Sequence, residues 1–548
     1  MKKYIRIISA FSVIALLSGF VMSQSDTYLK IAKSIDIFGK VYKEVTFNYV
    51  DAINPEEFMI SGINGMLAAL DPYTVFIDEK RKDDLDLITD GKYGGVGVSI
   101  GIRNDRITIV DLIDGYSAQR QGIRIGDVIE SVNGIEINKD NFDDISSLVK
   151  GEPGTQVVMT ILRDGGNEKL TFNLVREEIR IRNLTFSGFV PENSNNVYMK
   201  LTGFSRTAGE EMKKALIELS LKKDIKSIVL DLRGNPGGLL DAAVDVCEKF
   251  LNKGQLVVSV MGRDTATYKK YYSQEEPLAG QARLAVLVDN SSASASEIVA
   301  GAIQDHDRGI ILGTNTFGKG LVQTIIPLSY NTSLKITTAK YYTPSGRCIQ
   351  KIDYSKSNKV IGKKSSYTDT AFTTDRMRHV YSAGGIKPDT IVSDRTESSV
   401  VRSMLAGGVF FRFANTFSNH TSTADFRKIT DDELFGSFQQ FLKKEKFDYT
   451  SEGEKRIGDL LALTESEKYN QRLVEELTAL KKHFRDFREN AVAEHRSDII
   501  LMLKSELSSR YEGLTGRIRE SLNYDKQFLK ALDILNNQKV YNHLLLIK

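Results

Sequence analysis

Residues 284–325 read LAVLVDNSSASASEIVAGAIQDHDRGIILGTNTFGKGLVQTI. The segment opens with an apolar run of strand length, 284–288, which Asp289-Asn290-Ser291-Ser292 interrupts. Small residues follow. Then Ile298, Val299, Ala302 and Ile303 recur at helical spacing on one face. Asp307-Arg308-Gly309 ends that helix, and 310–312 reads as a second buried strand. A lysine between glycines comes next, in Phe317-Gly318-Lys319-Gly320, with Gln323 four residues on. The segment is a strand–helix–strand unit with serines at the mouth of its helix, which places the chain among α/β proteins.

A serine at a strand-to-helix turn is held on rigid backbone, and the first amides of the helix point at developing negative charge. It still needs a base. His306 is the histidine of this stretch, but it lies at the far end of the helix, roughly 18 Å along an axis rising ~1.5 Å per residue. Lys319 is the better candidate. Its glycine neighbours allow close backbone packing, and Phe317, Leu321 and Val322 are expected to desolvate its amine and lower its pKa. A lysine so placed is a known partner for serine. Spacing alone leaves an ordinary strand–helix–strand unit with a surface lysine equally open. Local sequence also leaves Ser292, Ser294 and Ser296 as rival nucleophiles.

Ser292-Ala293-Ser294-Ala295-Ser296-Glu297, Gln304-Asp305, Thr316-Phe317-Gly318-Lys319-Gly320 and Val322-Gln323 resemble the C-terminal processing (tail-specific) peptidases, a family with a Ser-Lys catalytic pair. The resemblance extends from the N-terminal helices to Asp389. It implies Ser294 as nucleophile, Lys319 as general base and Gln323 as the residue that orients the lysine. The turn Arg233-Gly234-Asn235-Pro236-Gly237-Gly238 follows an apolar strand and precedes a helix, which invites a phosphate-site reading. It has neither Gly-Lys-Ser/Thr nor the dinucleotide fingerprint. The resemblance instead implies an oxyanion hole with one donor from Gly237 (or Gly238) and one from Ala295. Each such donor is typically worth about 3 kcal/mol of transition-state stabilisation. Glu297, Asp305, Ser205 and Arg347 are read as structural rather than chemical.

Composition sets wide bounds. At 548 residues the chain is long enough for three or four domains, and 41% hydrophobic with 26% charged residues suits several packed cores. The net charge of +3 and the absence of a basic stripe with interleaved aromatics give no sign of a nucleic-acid partner. Cys247 and Cys348 make no disulfide framework, and no Cys/His cluster has metal-ligand spacing. Neither metal nor cofactor is expected.

In chain order, residues 1–25 read as a signal peptide or membrane anchor: Lys2, Lys3 and Arg6 precede an apolar run that ends near Ser23. The body is thus expected in a bacterial periplasm, soluble or tethered to the inner membrane. Residues 26–84 read as a helical region whose second helix ends at Asp71-Pro72-Tyr73-Thr74, and Leu70-Asp71-Pro72 matches the family's linker motif. Residues 85–177 turn to β character. Tyr93-Gly94-Gly95-Val96-Gly97-Val98, then QGIRIGDVIESVNG and a helix, resemble a PDZ domain. That likeness implies capture of a C-terminal carboxylate by Gly94, Gly95, Val96, Gly97 and Val98, with the peptide added as a strand. Residues 178–397 are the peptidase core, for which the resemblance implies a crotonase/ClpP-like α/β fold. Residues 398–548 repeat apolar residues at helical spacing and read as a helical C-terminal domain, with association into homo-oligomers left open.

The expected fold is therefore multidomain α/β, a peptidase core carrying an inserted PDZ domain between helical terminal regions. The expected function is an exported serine endopeptidase acting on proteins with exposed C-terminal tails. The alternative is a catalytically silent PDZ adaptor or chaperone that holds such tails.

Overall fold

The computed structural model describes residues 28–81, 87, 89–103, 106–113, 115–163, 169–352, 354, 370–382, 384–393, 397–418, 421–422, 426–466 and 471–547. The leader expected over 1–25 lies outside them, as do most residues of the polar stretch 352–374. No helix among the described residues is long and apolar enough to cross a membrane. The chain divides into two compact units, residues 1–77, 323–337 and 354–363, and residues 78–322, 338–353 and 364–548.

In the first unit, helix α1 spans 28–48 and α2 spans Pro55–Ala68. Asn54 caps α2 by accepting the Glu56 N–H at 3.0 Å, and proline takes the first helical position, where its missing N–H costs nothing. After α2, the Asp71 carboxylate accepts the N–H groups of Tyr73 and Thr74 at 2.8 and 2.9 Å. That local turn redirects the chain into β1 (Val75–Ile77), which pairs antiparallel with residues 333–335.

The second unit begins with the β-rich segment. Its elements are β2 (Lys92–Gly95), β3 (Val98–Arg103), β4 (Arg106–Leu112), α3 (Ser117–Arg120), β5 (Val128–Val132), β6 (Ile135–Glu136), α4 (Phe142–Val149), β7 (Gln156–Leu162), β8 (Lys169–Val175) and β9 (Glu177–Arg180). The sheet runs β3-β4-β5-β7-β8, with β6 on β5, so β3 is an edge strand. Asn133 and Gly134 take φ of 51° and 79°, the hairpin turn that joins β5 to β6. Ile107, Ile109, Val157, Met159 and Ile161 fill the core, and Ile145 of α4 closes it. β2 and β9 pair as a separate antiparallel ribbon.

The α/β part that follows contains β10 (Leu184–Phe189), β11 (Asn196–Leu201), α5 (Ala208–Lys222), β12 (Ser227–Asp231), α6 (Leu240–Glu248), β13 (Leu256–Gly262), β14 (Lys269–Tyr272), β15 (Arg283–Val288), α7 (Ala295–Asp305), β16 (Ile310–Gly313), β17 (Leu321–Pro327), β18 (Ser333–Tyr342), the hairpin β19 (Ala371–Thr373) and β20 (His379–Tyr381), and β21 (Thr390–Ile391). The main sheet is ordered β10-β11-β12-β15-β16-β21 and is parallel from β11 onward. Its strands are apolar at nearly every position because both faces are covered. Ile228, Leu230, Leu284 and Val286 pack with helix residues such as Met212, Val246 and Val299, while Val229, Ala285 and Leu287 face the opposite layer. The sequence reading contains no strand over 256–262. That run is apolar without clear alternation, which periodicity does not separate from helix.

The C-terminal helices are α8 (Ser399–Ala406), α9 (Val409–Ser418), α10 (Asp431–Lys444), α11 (Glu452–Ser466), α12 (Gln471–Glu494), α13 (Arg496–Leu522), α14 (Lys526–Asn536) and α15 (Gln538–Leu544). An aromatic core gathers residues of α8, α9, α10, α12 and α13: Phe438 stacks on Phe410 at 5.5 Å and meets Phe413 edge-on at 5.2 Å. α14 and α15 do not join that core. Phe528, Ala531, Ile534, Leu535 and Tyr541 pack beneath the main sheet against Tyr198, Val229 and Leu287. The helices expected as one region over 398–548 thus serve two different cores. Burial of an apolar face, not chain proximity, decides which helix goes where.

Candidate active site

The serine-rich turn between β15 and α7 is fixed from several sides. Asp289 accepts the N–H groups of Ser291 and Ser292 at 2.9 and 3.0 Å, and also that of Gly234 in the glycine-rich turn at 3.1 Å. Two of the three rival serines are buried and occupied. Ser292 Oγ donates to the Leu232 carbonyl at 2.8 Å, and Ser296 Oγ to that of Asn235 at 2.9 Å. Ser294 differs from both. It is only partly buried and adopts φ 56°, ψ −111°, outside the regions open to L-residues at low cost. Such a conformation stores on the order of 1–3 kcal/mol and persists only where its surroundings over-determine it.

Glu297 is one of those surroundings. Its carboxylate is fully buried one turn into α7. One oxygen accepts the N–H groups of Ser294 and Lys319, both at 2.9 Å. The other accepts the Gly318 N–H at 2.7 Å and the Thr316 hydroxyl at 2.6 Å. The amide nitrogens of Ser294 and Lys319 therefore lie within twice 2.9 Å of each other. A second clasp works from the opposite side of the chain: the buried Tyr341 hydroxyl reaches the Lys319 carbonyl at 2.6 Å and the Ser294 carbonyl at 3.2 Å. The glycines beside Lys319 make the approach possible. An added Cβ at Gly318 would sit 2.8 Å from Lys351 Cβ, and one at Gly320 would sit 3.0 Å from the Gln350 nitrogen. Of the apolar neighbours expected around the lysine, Leu321 is buried and Val322 partly so, but Phe317 is 47% exposed.

Burial pushes the Glu297 carboxyl up to about 7, against four donors that favour its charged form. All of its acceptor positions are in use, so a proton can enter only by displacing a donor. Activity is accordingly expected to fall as pH drops through about 7, where the clasp loses its charge. Glu297→Gln leaves one acceptor oxygen and adds N–H groups facing other N–H groups. Its kcat/KM is expected to drop on the order of 10²-fold through misplacement of the reacting groups, with the acid limb near pH 7 gone. A kcat/KM–pH profile of both proteins checks this, and an unchanged limb in the glutamine variant would refute it.

The glycine-rich turn faces the serine turn. A Cβ on Gly237, whose φ is 97°, would lie 2.6 Å from the Ala293 carbonyl oxygen and 2.9 Å from the Ala295 nitrogen. Only glycine leaves the space above the Ala295 amide open. Ala295 is the first residue of α7, so its N–H has no acceptor within the helix. The Gly237 N–H donates to Asn235 Oδ1 at 2.9 Å, whereas no acceptor for the Gly238 N–H occurs among the described residues. Asn235 joins the two turns, since its carbonyl also receives the Ala293 N–H at 3.1 Å. The strand leading into this turn is anchored from behind. Burial works to raise the Asp231 carboxyl, but Arg233 and Lys200 outweigh it and hold the group well below the usual carboxylate range. Arg233 bridges Asp231 at 2.6 Å to Asp525, the cap of α14, also at 2.6 Å.

Gln323 belongs to the first unit, where its Nε2 donates to Thr337 Oγ1 at 3.2 Å, and the Thr337 N–H donates to Thr74 Oγ1 at 3.2 Å. In the β-rich segment, Gly94 and Gly95 pair with Glu178 and Glu177 across the β2–β9 ribbon. Val96 and Gly97 form the turn into β3, which begins at Val98. His306 is occupied at the far end of α7, with Nδ1 2.8 Å from Asp375 and Nε2 2.7 Å from the Leu256 carbonyl oxygen. Glu297 and Tyr341 are positioning residues; sequence reasoning took Glu297 as structural only and did not single out Tyr341. Glutamate three residues after a helix-capping serine was a usable signal for the first; Tyr341 had none beyond its place in a strand.

Three family models match the sequence: Peptidase family S41 over residues 195–356, PDZ domain over 108–163, and Probable PDZ-protease, C-terminal helical domain over 400–535. The carboxy-terminal-processing protease of Bartonella bacilliformis is 36% identical over 333 residues, spanning 60% of this chain and 75% of that protein. Carboxy-terminal processing protease CtpB of Bacillus subtilis is 31% identical over 328 residues, spanning 58% and 66%. Among solved structures, the photosystem II D1 C-terminal processing protease is 27% identical, covering 65% of this chain and 92% of that one at a TM-score of 0.36.

Proposed function

The chain belongs to peptidase family S41, with relatives named carboxy-terminal-processing proteases, and is a serine-type peptidase carrying a PDZ domain; from that premise we propose that it cleaves tailed proteins through Ser294 and Lys319. The observation that carries this reading is the Glu297 carboxylate held between the Ser294 and Lys319 amides. Lys319 takes the Ser294 hydroxyl proton as Oγ bonds to the peptide carbonyl carbon and the carbonyl electrons move onto oxygen. The Ala295 N–H and the Gly237–Gly238 turn receive that oxyanion, with Gly238 the donor not already engaged. Collapse breaks the C–N bond, and the proton on Lys319 passes to the departing amine. Water then attacks the acyl-enzyme, with Lys319 again accepting a proton. Gln323, four residues beyond the lysine, is the proposed orienting residue.

The PDZ domain supports recognition of protein C-terminal tails. We place the tail's carboxylate at the turn around Gly97 and Val98. Gly94 and Gly95 shape that turn through their pairing with β9. Export to a periplasm rests on the basic and apolar pattern of residues 2–23.

A serine-directed fluorophosphonate tests the mechanism directly. Mass spectrometry of the labelled, digested protein is expected to place one adduct on the peptide containing Ser294. Labelling of Ser292 or Ser296 instead would reassign the nucleophile, and no labelling of an enzyme that cleaves a tailed substrate would refute the acyl-enzyme route.

A further inference from the structure

A cleft of about 2620 Å3 opens beside the PDZ sheet, walled by β3 and β4, by the peptidase helix α5 and by the C-terminal helices α9 and α13. Its most unusual lining residue is Arg510 of α13. Only 7% of that side chain is exposed, and its buried Nε has no hydrogen-bond partner. Glu506 on its own helix lies 3.4 Å away, and the Asp111 carboxylate of β4 is also close enough to act on it. The guanidinium lies 4.3 Å from the centre of the Phe411 ring, and Arg103 of β3 approaches the same ring at 5.9 Å. Two cations thus share one aromatic side chain, a costly arrangement unless an anion joins them. Arg106 and Arg124 line the same cleft, and neither they nor Arg103 has a carboxylate partner among the described residues. Part of this charge is offset: Glu445 pairs with Arg412 and Glu512 with Arg427, while Asp111, Glu211 and Glu218 also line these walls.

The edge strand β3 connects this cleft to the tail-binding turn. The Ile113 N–H donates to the Gly97 carbonyl at 2.9 Å, so the backbone of Val98, one residue on, faces away from β4 toward the free edge. Val98 and Ile100 turn their side chains to the PDZ core, while Ser99 and Arg103 line the cleft. A tail added antiparallel to β3, with its carboxylate at Gly97–Val98, runs toward Arg103. Five residues of strand span about 17 Å at ~3.4 Å per residue. That brings the fifth to seventh residue from the tail's end to Arg103, Arg510 and Phe411.

We propose that this cleft selects client tails carrying an acidic residue five to seven positions before the C-terminus. The proposal rests on the PDZ tail-binding reading and adds a second determinant, supplied in part by the C-terminal helices. An Asp or Glu there meets Arg103 and the unsatisfied Nε–H of Arg510, and charge-assisted hydrogen bonds of this kind are among the stronger ones.

The test uses the full chain with Ser294→Ala to prevent cleavage, and two fluorescent ten-residue peptides with the same four apolar C-terminal residues. One carries Glu at the fifth and seventh positions from the end, the other Lys. Anisotropy titrations are expected to give at least fivefold tighter binding of the Glu peptide, with the gap shrinking in high salt. Arg103→Gln combined with Arg106→Gln, both on exposed positions, should remove most of the preference while the Lys peptide binds no worse; Arg510→Gln should do the same. Equal binding of the two peptides overturns the proposal and leaves tail recognition standing. A preference that survives all three substitutions also overturns it. Failure of both peptides to bind overturns it together with the PDZ reading.

Discussion

Ser294→Ala is expected to abolish cleavage of a tailed, partly unfolded protein, with a loss on the order of 10⁶-fold in kcat. The side chain removed is the only one of the three neighbouring serines that is not fully buried and tied to a backbone carbonyl. Ser292 and Ser296 would each have to break such a bond and leave the core to substitute for it. The backbone strain at position 294 is the same for alanine, so unfolding free energy should change by less than ~1 kcal/mol. Binding of the tail should persist, because the PDZ turn lies on other elements. Cleavage assays alongside thermal melts read both outcomes. Retained cleavage with an intact fold would move the nucleophile elsewhere.

Lys319→Arg is expected to be nearly as damaging, at ~10⁴-fold or more in kcat, although it keeps the positive charge. A guanidinium does not give up its proton and cannot act as a base. It is also bulkier and planar, and the close packing at Gly318 and Gly320 leaves the backbone little room to shift around it. Because serine and base act as a unit, the double variant should be no slower than Ser294→Ala alone. Single-turnover cleavage of one substrate by all three variants decides the matter. An active arginine variant would remove Lys319 from the base role.

Much of this arrangement was legible before any coordinates. The apolar runs 228–232 and 284–288 read as buried strands because both faces of a parallel sheet are covered, and they form β12 and β15. The serine run, the Gly-Lys-Gly segment and the PDZ loop were visible as motifs because each depends on local backbone requirements. The clasps were not. Tyr341 is 47 residues from Ser294 in sequence, and nothing in a strand ending Tyr341-Tyr342 says which hydroxyl will turn inward. Glu297 looked like a helix cap, and it is one; its bonds to Gly318 and Lys319 depend on where a distant loop returns. α14 and α15 likewise carried an apolar face with no indication of the surface it would cover.

The sequence by itself determined the family, the order of the domains and the residue types available for chemistry, since these follow from local spacing and from patterns carried along the chain. The tertiary structure alone decided that one buried carboxylate joins the Ser294 turn to the Lys319 turn, and that the cap of α14 holds Arg233 at the start of the glycine-rich turn. Both are contacts between segments far apart in the chain. Their formation depends on which buried polar groups find partners once the cores close, and no local pattern of residues encodes that pairing.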